Sequence, residues 1–373
     1  MSSEPRSGPR IETSVTTHDG FTLTETAIPE RLGDDELSRT FREMVDVRNE
    51  IEADAYGSRD LAYEAAELHP NWLDPHQPKR LLLPRVDGRI VGRASLEVQI
   101  NASTDVGWLL IEILPEFRGR GIGTAALERL VGMAIDGGQN VLQGLGIAKE
   151  IGGERLTSPT GFGSIPLADD SVRFAVKHGF ALEQVERSSK VLLPVDVSTH
   201  IAAANDAAGA DYRVHTWVGD VPEQWREDYA VLLTRMSTDA PAAGLDIDED
   251  PWTPERLMEE EERHRDSPRL YLTAAAEHIP TGKLVAFSVL NAPTERERAV
   301  SQDDTLVLKE HRGHRLGMLL KAANLEFLQT ERPGHPAVTT FNAAENEHML
   351  AVNDALGFEP VVWLGAWKRA TQA

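Results

Sequence analysis

Apolar positions along this chain switch between a period of two and a period near 3.6, and the same series of switches runs twice. In the first half, Leu81 to Val86, the turn Asp87-Gly88 and Arg89 to Val98 read as a β-hairpin. A helix pattern follows over Thr124 to Ile135 and stops at Gly137-Gly138. Val141 to Ile147 reads as a strand, Ser171 to His178 as a helix closing on Gly179-Phe180, and Glu183 to Leu193 as a final strand. The second half repeats this. Leu270 to Ala275 and Lys283 to Leu290 flank the turn Pro280-Thr281-Gly282; a helix spans Met318 to Leu328 before Pro333-Gly334. Strand Ala337 to Phe341, helix Glu345 to Leu356 with Gly357-Phe358, and strand Pro360 to Lys368 complete it. Upstream, Tyr212 to Val218 predicts a strand and Glu223 to Met236 a helix whose first-half counterpart is Asp35 to Ala53.

The register between the halves is fixed. Gly88 and Gly282 stand 194 positions apart, and so do Arg118 and Arg312, which open two short basic glycine turns. These turns are Arg118-Gly119-Arg120-Gly121-Ile122-Gly123 and Arg312-Gly313-His314-Arg315-Leu316-Gly317. A shared spacing of hairpin and turn implies a duplicated unit. Arg118 to Gly179 is 61 residues and Arg312 to Gly357 is 45, so the first half carries an insertion of 16, expected as loop within 144–165. The expected organisation is a disordered tail over 1–20, a first domain over 21–197, a partly helical Ala-rich linker over 198–211 and a second domain over 212–373. Each domain reads as a mixed α/β layer with helices on a sheet.

Strand, glycine turn, helix start is a recipe for gripping phosphate. Backbone N–H groups converge there, the helix dipole favours negative charge, and Arg adds the counter-charge. A dinucleotide fold would need G-x-G-x-x-G with a carboxylate about 20 positions on at a strand end, but Asp136 ends a helix; a P-loop would need Gly-Lys-Ser/Thr, which is missing. Arg315 replaces a glycine, giving up close backbone approach and gaining a guanidinium for bidentate phosphate contact. A solvated turn is the plainer alternative for this basic patch.

Composition narrows the chemistry. A formal net charge of −22 argues against nucleic acid or an acidic membrane surface as partner. With no Cys in 373 residues, disulfides, Cys-ligated zinc, iron–sulfur clusters and a Cys nucleophile are excluded. The start of the chain lacks an apolar signal region and no run approaches the length of a membrane span, so a cytoplasmic setting is expected. The histidines, His311 and His314 included, offer no convincing metal-ligand set, so no metal is expected. The acidic runs Asp246 to Asp250 and Glu259 to Glu262 read first as solvated faces, and Trp217, Trp225 and Trp252 as packing residues.

Taken together, the element order and the turns resemble the GNAT superfamily of acyl-CoA-dependent N-acetyltransferases, in two tandem copies over nearly the whole chain. The family signature, Arg or Gln, two residues, Gly, one residue, Gly or Ala, is complete at Arg118 to Gly123; at Arg312 to Gly317 it has Arg315 for the first Gly. The resemblance implies two GNAT-fold domains, each a central mixed sheet whose fourth and fifth strands splay, flanked by helices. It implies acetyl-CoA as co-substrate, its pyrophosphate held by Arg118, Gly119, Arg120, Gly121, Ile122, Gly123 and Thr124, and by Arg312, Gly313, His314, Arg315, Leu316, Gly317 and Met318. Backbone of Ile113-Leu114 and Val307-Leu308 would pair with the pantetheine arm; Asn342 and Asn346 match further cofactor positions, whereas the first half has Ala168 opposite Asn346.

The reaction the resemblance implies is direct attack of a small-molecule amine on the thioester in a ternary complex. The amine needs a base, the carbonyl oxygen a donor such as a backbone N–H at a bulge of the fourth strand, and the thiolate a proton. The family's usual proton donor, a Tyr on the last helix, is replaced by Asn353 and Ala175. Base positions on the fourth strand hold Trp108 and Gln302. The candidates are Gln302 as a hydrogen-bonding residue, the adjacent Asp303 and Asp304, and Glu112 in the first half. Because Asn342, Asn346 and Asp304 lie in the second half, that half is expected to be the active one. An acyl-CoA-binding regulator and a protein Lys or N-terminal acetyltransferase are the alternatives.

Overall fold

The computed structural model describes residues 15–100 and 105–372. The first fourteen residues of the expected tail lie outside them. Its end does not behave as tail: β1 (Val15–His18) pairs antiparallel with β2 (Phe21–Thr26) around Asp19-Gly20.

The first half continues with α1 (Glu36–Tyr56), α2 (Ala65–Trp72), β3 (Lys79–Val86), β4 (Arg89–Ile90), β5 (Gly92–Val98), β6 (Val106–Ile113), α3 (Ile122–Asp136) and β7 (Val141–Ala148). Next come β8 (Arg155–Thr157), β9 (Ser164–Pro166), α4 (Asp170–Lys177) and β10 (Ala181–Leu192). The insertion expected as loop therefore holds a small β8–β9 hairpin. The expected linker is α5 (Ser198–Ala208), which buries Ala204 and Ala208 among Leu316, Leu319 and Leu320; small side chains allow that close approach. The second half has β11 (Tyr212–Val218), α6 (Arg226–Asp239), α7 (Pro254–His264), β12 (Arg269–His278), β13 (Lys283–Pro293) and β14 (Val300–Val307). It closes with α8 (Leu316–Glu331), β15 (Ala337–Ala343), α9 (Glu347–Ala355) and β16 (Glu359–Ala370). Sequence reading placed the repeated elements within a few residues but gave no sign of β2, α2 or α7.

Local chemistry explains the boundaries. Asp87 and Gly88 both take positive φ, the geometry a two-residue hairpin turn demands. Asp35 caps α1 by accepting from the Ser38 N–H at 2.9 Å, and Asp169 caps α4 through the N–H of Ser171. Alternation along β3 sends Leu81 and Leu83 to α1 and α2, and Leu82 to α3. The second half is layered alike: α6 and α7 cover one face around Phe287, while α5, α8 and α9 cover the other.

All main strands join one sheet in the order β1-β2-β3-β5-β6-β7-β16-β10-β15-β14-β13-β12-β11. At its centre the halves exchange their last strands. β10 pairs with β15 (Glu186↔Ala343 to Leu192↔Ala337), and β16 pairs with β7 (Trp363↔Ala148 to Ala370↔Val141). The loops after the first helices are exchanged too. Arg298 reaches into the segment behind α1, donating to the Ala62 carbonyl at 2.7 Å and to Glu67 Oε2 at 2.6 Å. Conversely, Asp246 behind α6 exchanges hydrogen bonds with Gln143 of β7, 2.6 and 3.2 Å long. Each half thus covers part of the other's sheet.

Candidate active site

Two slots open in this sheet, one per half, and both lie where neighbouring strands run parallel. β6 and β7 pair only over Val106↔Val141 to Trp108↔Gln143; β14 and β15 pair only over Val300↔Val338 and Ser301↔Thr339. Beyond those registers each pair parts, and the glycine turn and helix start follow the first strand of the pair.

The turns share one construction. Ile122 and Leu316, the first helical residues, are 2% and 1% exposed and anchor the turn in the core. Arg118 Nε donates to the Ile113 carbonyl at 3.0 Å and Arg312 Nε to the Val307 carbonyl at 3.1 Å, so the signature arginines brace the strand end. Gly119, Gly121 and Gly313 take positive φ. Among the described residues, the N–H groups of Gly119 through Thr124 and of Gly313 through Met318 find no internal acceptor. An arc of free donors at a helix start suits a diphosphate, so both turns fit coenzyme A at that point. Leu114 and Leu308 are tied on their other side, their N–H groups donating to the carbonyls of Val91 and Val285.

Differences between the turns separate the two slots. Arg315 has φ 57° and so occupies the left-handed region, which costs a non-glycine residue about 1–2 kcal/mol. Its exposed guanidinium has no ion pair among the described residues, whereas Arg312 and Lys309 share Asp239. Tyr212, bonded to His311 at 3.0 Å, and His278 flank this turn; burial keeps the His311 pKa below its ordinary value, with His278 beside it adding to the effect. A Cβ on Gly317 would meet nothing nearer than Val307 Cγ2 at 4.0 Å, so the space before α8 is open. A Cβ on Gly123 would lie 3.3 Å from the Phe174 ring, which His178 backs at 4.5 Å while bonding the Thr124 hydroxyl at 3.2 Å. Aromatic packing from α4 thus narrows the first slot.

The fourth strands differ more. β5 and β6 keep one register throughout, whereas β13 and β14 shift by one residue between Ser288↔Thr305 and Leu290↔Gln302. β14 therefore carries a bulge at Asp303-Asp304. The bulge breaks strict alternation. Asp303 bonds Asn291 and lies near Arg269, and both carboxylates face Tyr229 on the α6 side. Asp303 is exposed and Asp304 half-buried, yet Tyr229, Tyr271 and Arg269 crowd the pair closely enough that burial is the main cause of the high Asp303 pKa; the pair lines an open recess. Burial and then the charge of Asp304 push Asp303 up to about 7, and burial also raises Asp304. Tyr271 and Tyr229, both with phenols raised by burial, wall the recess, and Tyr63 from the first half lies under Arg269 at 4.4 Å. Gln302 faces the other way: its amide donates to the Val289 carbonyl at 2.7 Å and to Ser288, which makes it a brace of the bulge and not a group in the recess.

By the 194-residue spacing, Leu109 and Leu110 stand where the second half has Asp303 and Asp304. The carboxylate the first half does offer, Glu112, accepts from Arg93 Nε at 2.6 Å. Arg93 also approaches Glu52 at 3.7 Å, and Glu52 pairs with Arg48 at 2.9 Å. This ion-pair cluster occupies the α1 face and holds Glu112 away from proton chemistry. Glu52 itself is raised to about 7, by burial first and by Glu112 against the pull of Arg48 and Arg93.

Asn342 and Asn346 sit beside the second slot with their side chains engaged. Asn346 caps α9 by accepting from the Met349 N–H at 3.3 Å, and Asn342 Oδ1 accepts from Asn353 at 2.7 Å. A cavity of about 340 Å³ between the halves, lined by Asn71, Asp74 and Glu260 among others, lies away from both turns. Among the described residues no cluster of His, Asp and Glu is arranged to hold a metal, and no helix is long and apolar enough to cross a membrane.

Comparison with known proteins agrees with this geometry. Residues 44–150 match the profile of the Acetyltransferase (GNAT) family. A tandem GNAT protein from the clavulanic acid biosynthesis pathway, solved without AcCoA, superposes with a TM-score of 0.71 at 22% identity over 94% of this chain and 98% of that one. A GCN5-related N-acetyltransferase from Sphaerobacter thermophilus gives 0.61 at 15% identity, covering 95% and 97% of the two chains. A putative acetyltransferase from Pyrococcus horikoshii gives 0.53 at 11% identity, covering 95% and 91%. A search of curated proteins found no match. The chain has the tandem GNAT fold, two such units in one polypeptide.

Proposed function

We propose that the protein is an N-acetyltransferase that moves an acetyl or other short acyl group from coenzyme A to the amine of a small molecule, and that the second half does the chemistry. One observation carries the reading: the β14 bulge brings Asp303 and Asp304 together in a recess on the sheet face opposite α8, beside an open slot that leads from a turn of free N–H donors. Bound acyl-CoA would supply a thioester activated for attack. Gly313 to Met318 and Arg315 would hold its diphosphate. The carboxylate pair would draw in a cationic amine and take its proton, the ionised fraction of Asp303 rising as pH climbs through about 7. Half-buried Tyr271 is the aromatic side chain that would meet the cation, while the Tyr63 ring is already covered by Arg48 and Arg269. The first half keeps a complete turn but has leucines for the carboxylates, so its part is structural, with cofactor binding at most.

The test is thiol release from acetyl-CoA across a panel of small amines and lysine peptides. Release that depends on a small cationic amine is the expected result. Tight acetyl-CoA binding with no release in the presence of any amine would instead make the protein an acyl-CoA-binding regulator, and release with peptides alone would make it a protein acetyltransferase.

A further inference from the structure

The face that α8 lays on the sheet is apolar but for two residues, Lys321, 1% exposed, and Asn324. Spacing by four puts Lys321 on one side of the helix between Gly317, at the open slot, and Leu325. Leu325 packs with Val338 of β15 and with Val352 and Phe358 of the α9 segment, so this stripe faces the slot side of the helix. The lysine Nζ stands 5.3 Å from the centre of the Phe358 ring, and the Phe358 N–H donates to the Asn353 carbonyl at 3.0 Å. Lys321 is five residues into α8 and Asn353 six into α9, so both lie at like depth below the helix starts.

That depth is short of polar partners. Oδ1 of Asn353 and Oδ1 of Asn324, each in a fully buried residue, are without hydrogen bonds. Groups of this kind in a native interior call for a ligand or water. No charged group among the described residues is paired with Lys321, and burial alone lowers its pKa to about 7. A buried amine without an anion costs stability; the first half has Leu127 at this position, 3% exposed.

We propose that Lys321 donates the proton to the departing thiolate in the second half, the task for which Asn353 has no acidic proton. This rests on the reading of that half as the acyl-transfer site. The acceptor ammonium first gives one proton to the Asp303–Asp304 pair; the freed nitrogen then forms its bond to the acyl carbon as the carbon–sulfur bond breaks and its electron pair goes to sulfur. The nitrogen's second proton goes to the same pair, and the Lys321 ammonium gives its proton to sulfur. Solvent then reprotonates Lys321 and takes both protons from the carboxylates. A thiol of ordinary pKa, about 8.5, accepts a proton downhill from an ammonium of lower pKa.

Lys321→Leu, the first-half residue, is the test. The expected result is a kcat at least about tenfold lower with the KM for acetyl-CoA unchanged, and a deficit that shrinks for an acyl donor with a more acidic aryl thiol as leaving group. Lys321→Arg will not restore the rate, because a guanidinium does not release its proton. A second readout is the pH profile: in the native protein kcat will fall as pH climbs through about 7, where Lys321 loses its proton, and this alkaline limb will be missing from Lys321→Leu. Lys321→Met, closer in shape, serves if the leucine variant melts early. An alkaline limb that survives in Lys321→Leu overturns the proposal, and so does a rate deficit equal for both donors. Absence of turnover in the native protein with every amine would sink the reading of the site and the role of Lys321 with it.

Discussion

Gly317→Asp will weaken acetyl-CoA binding by about 100-fold or more, equivalent to about 2.8 kcal/mol at 1.4 kcal/mol per tenfold, and turnover will fall with it. Gly317 does not occupy the left-handed region, and its Cβ position is open, so aspartate fits without backbone strain. Its carboxylate would then satisfy the free N–H groups at the start of α8 itself and repel the phosphates. Gly123→Asp makes the same change in the first half, where the new Cβ crowds Phe174 at 3.3 Å. That variant will lose some stability and keep most of the turnover. Calorimetric titration with acetyl-CoA and a thiol-release assay measure both. The opposite pattern would move the chemistry to the first half.

Asp303→Asn will lower kcat by about 100-fold or more, within the range for removing a general base. Burial and the Asp304 charge hold the Asp303 pKa near 7, which sets the acid limb of the native rate profile, while Lys321 sets the alkaline limb, so the rate should peak near pH 7. Asp304→Asn removes the neighbouring charge. The Asp303 pKa will drop and the acid limb of the profile will move to lower pH. Stability gives an independent sign. A carboxyl whose folded pKa is raised stabilises the fold below its unfolded pKa, near 3.8, and that contribution is lost as pH climbs through about 7. Asp303→Asn should therefore raise the melting temperature above pH 7 while it lowers the rate. A variant that loses activity and stability together would mark Asp303 as a structural residue.

Much of this was legible in the chain because it is local. The two glycine turns, the hairpins before them and the helices after them follow from short-range periodicity and turn chemistry, and their 194-residue register exposes the duplication. The same register already sets Leu109-Leu110 against Asp303-Asp304, a sequence contrast that separates the halves. Lys321 interrupts a leucine-rich helix face, a signal the periodicity over Met318 to Leu328 passed over. What stayed hidden is non-local. Nothing in β10 marks it as the partner of β15, because backbone hydrogen bonds can be made to any free strand edge. Glu112 looks like a free strand carboxylate until Arg93, 19 residues away, folds against it. The bulge in β14 shows only as a slip in register against β13, and Tyr63 reaches the second recess through a loop from the other half.

A crystal structure with coenzyme A tests the central claim most directly. The account predicts diphosphate density on the N–H groups of Gly313 to Met318, with the thiol arm entering between β14 and β15 towards Lys321 and the β14 bulge. Density on Gly119 to Thr124 alone, or an arm lying outside the β14–β15 slot, would contradict it.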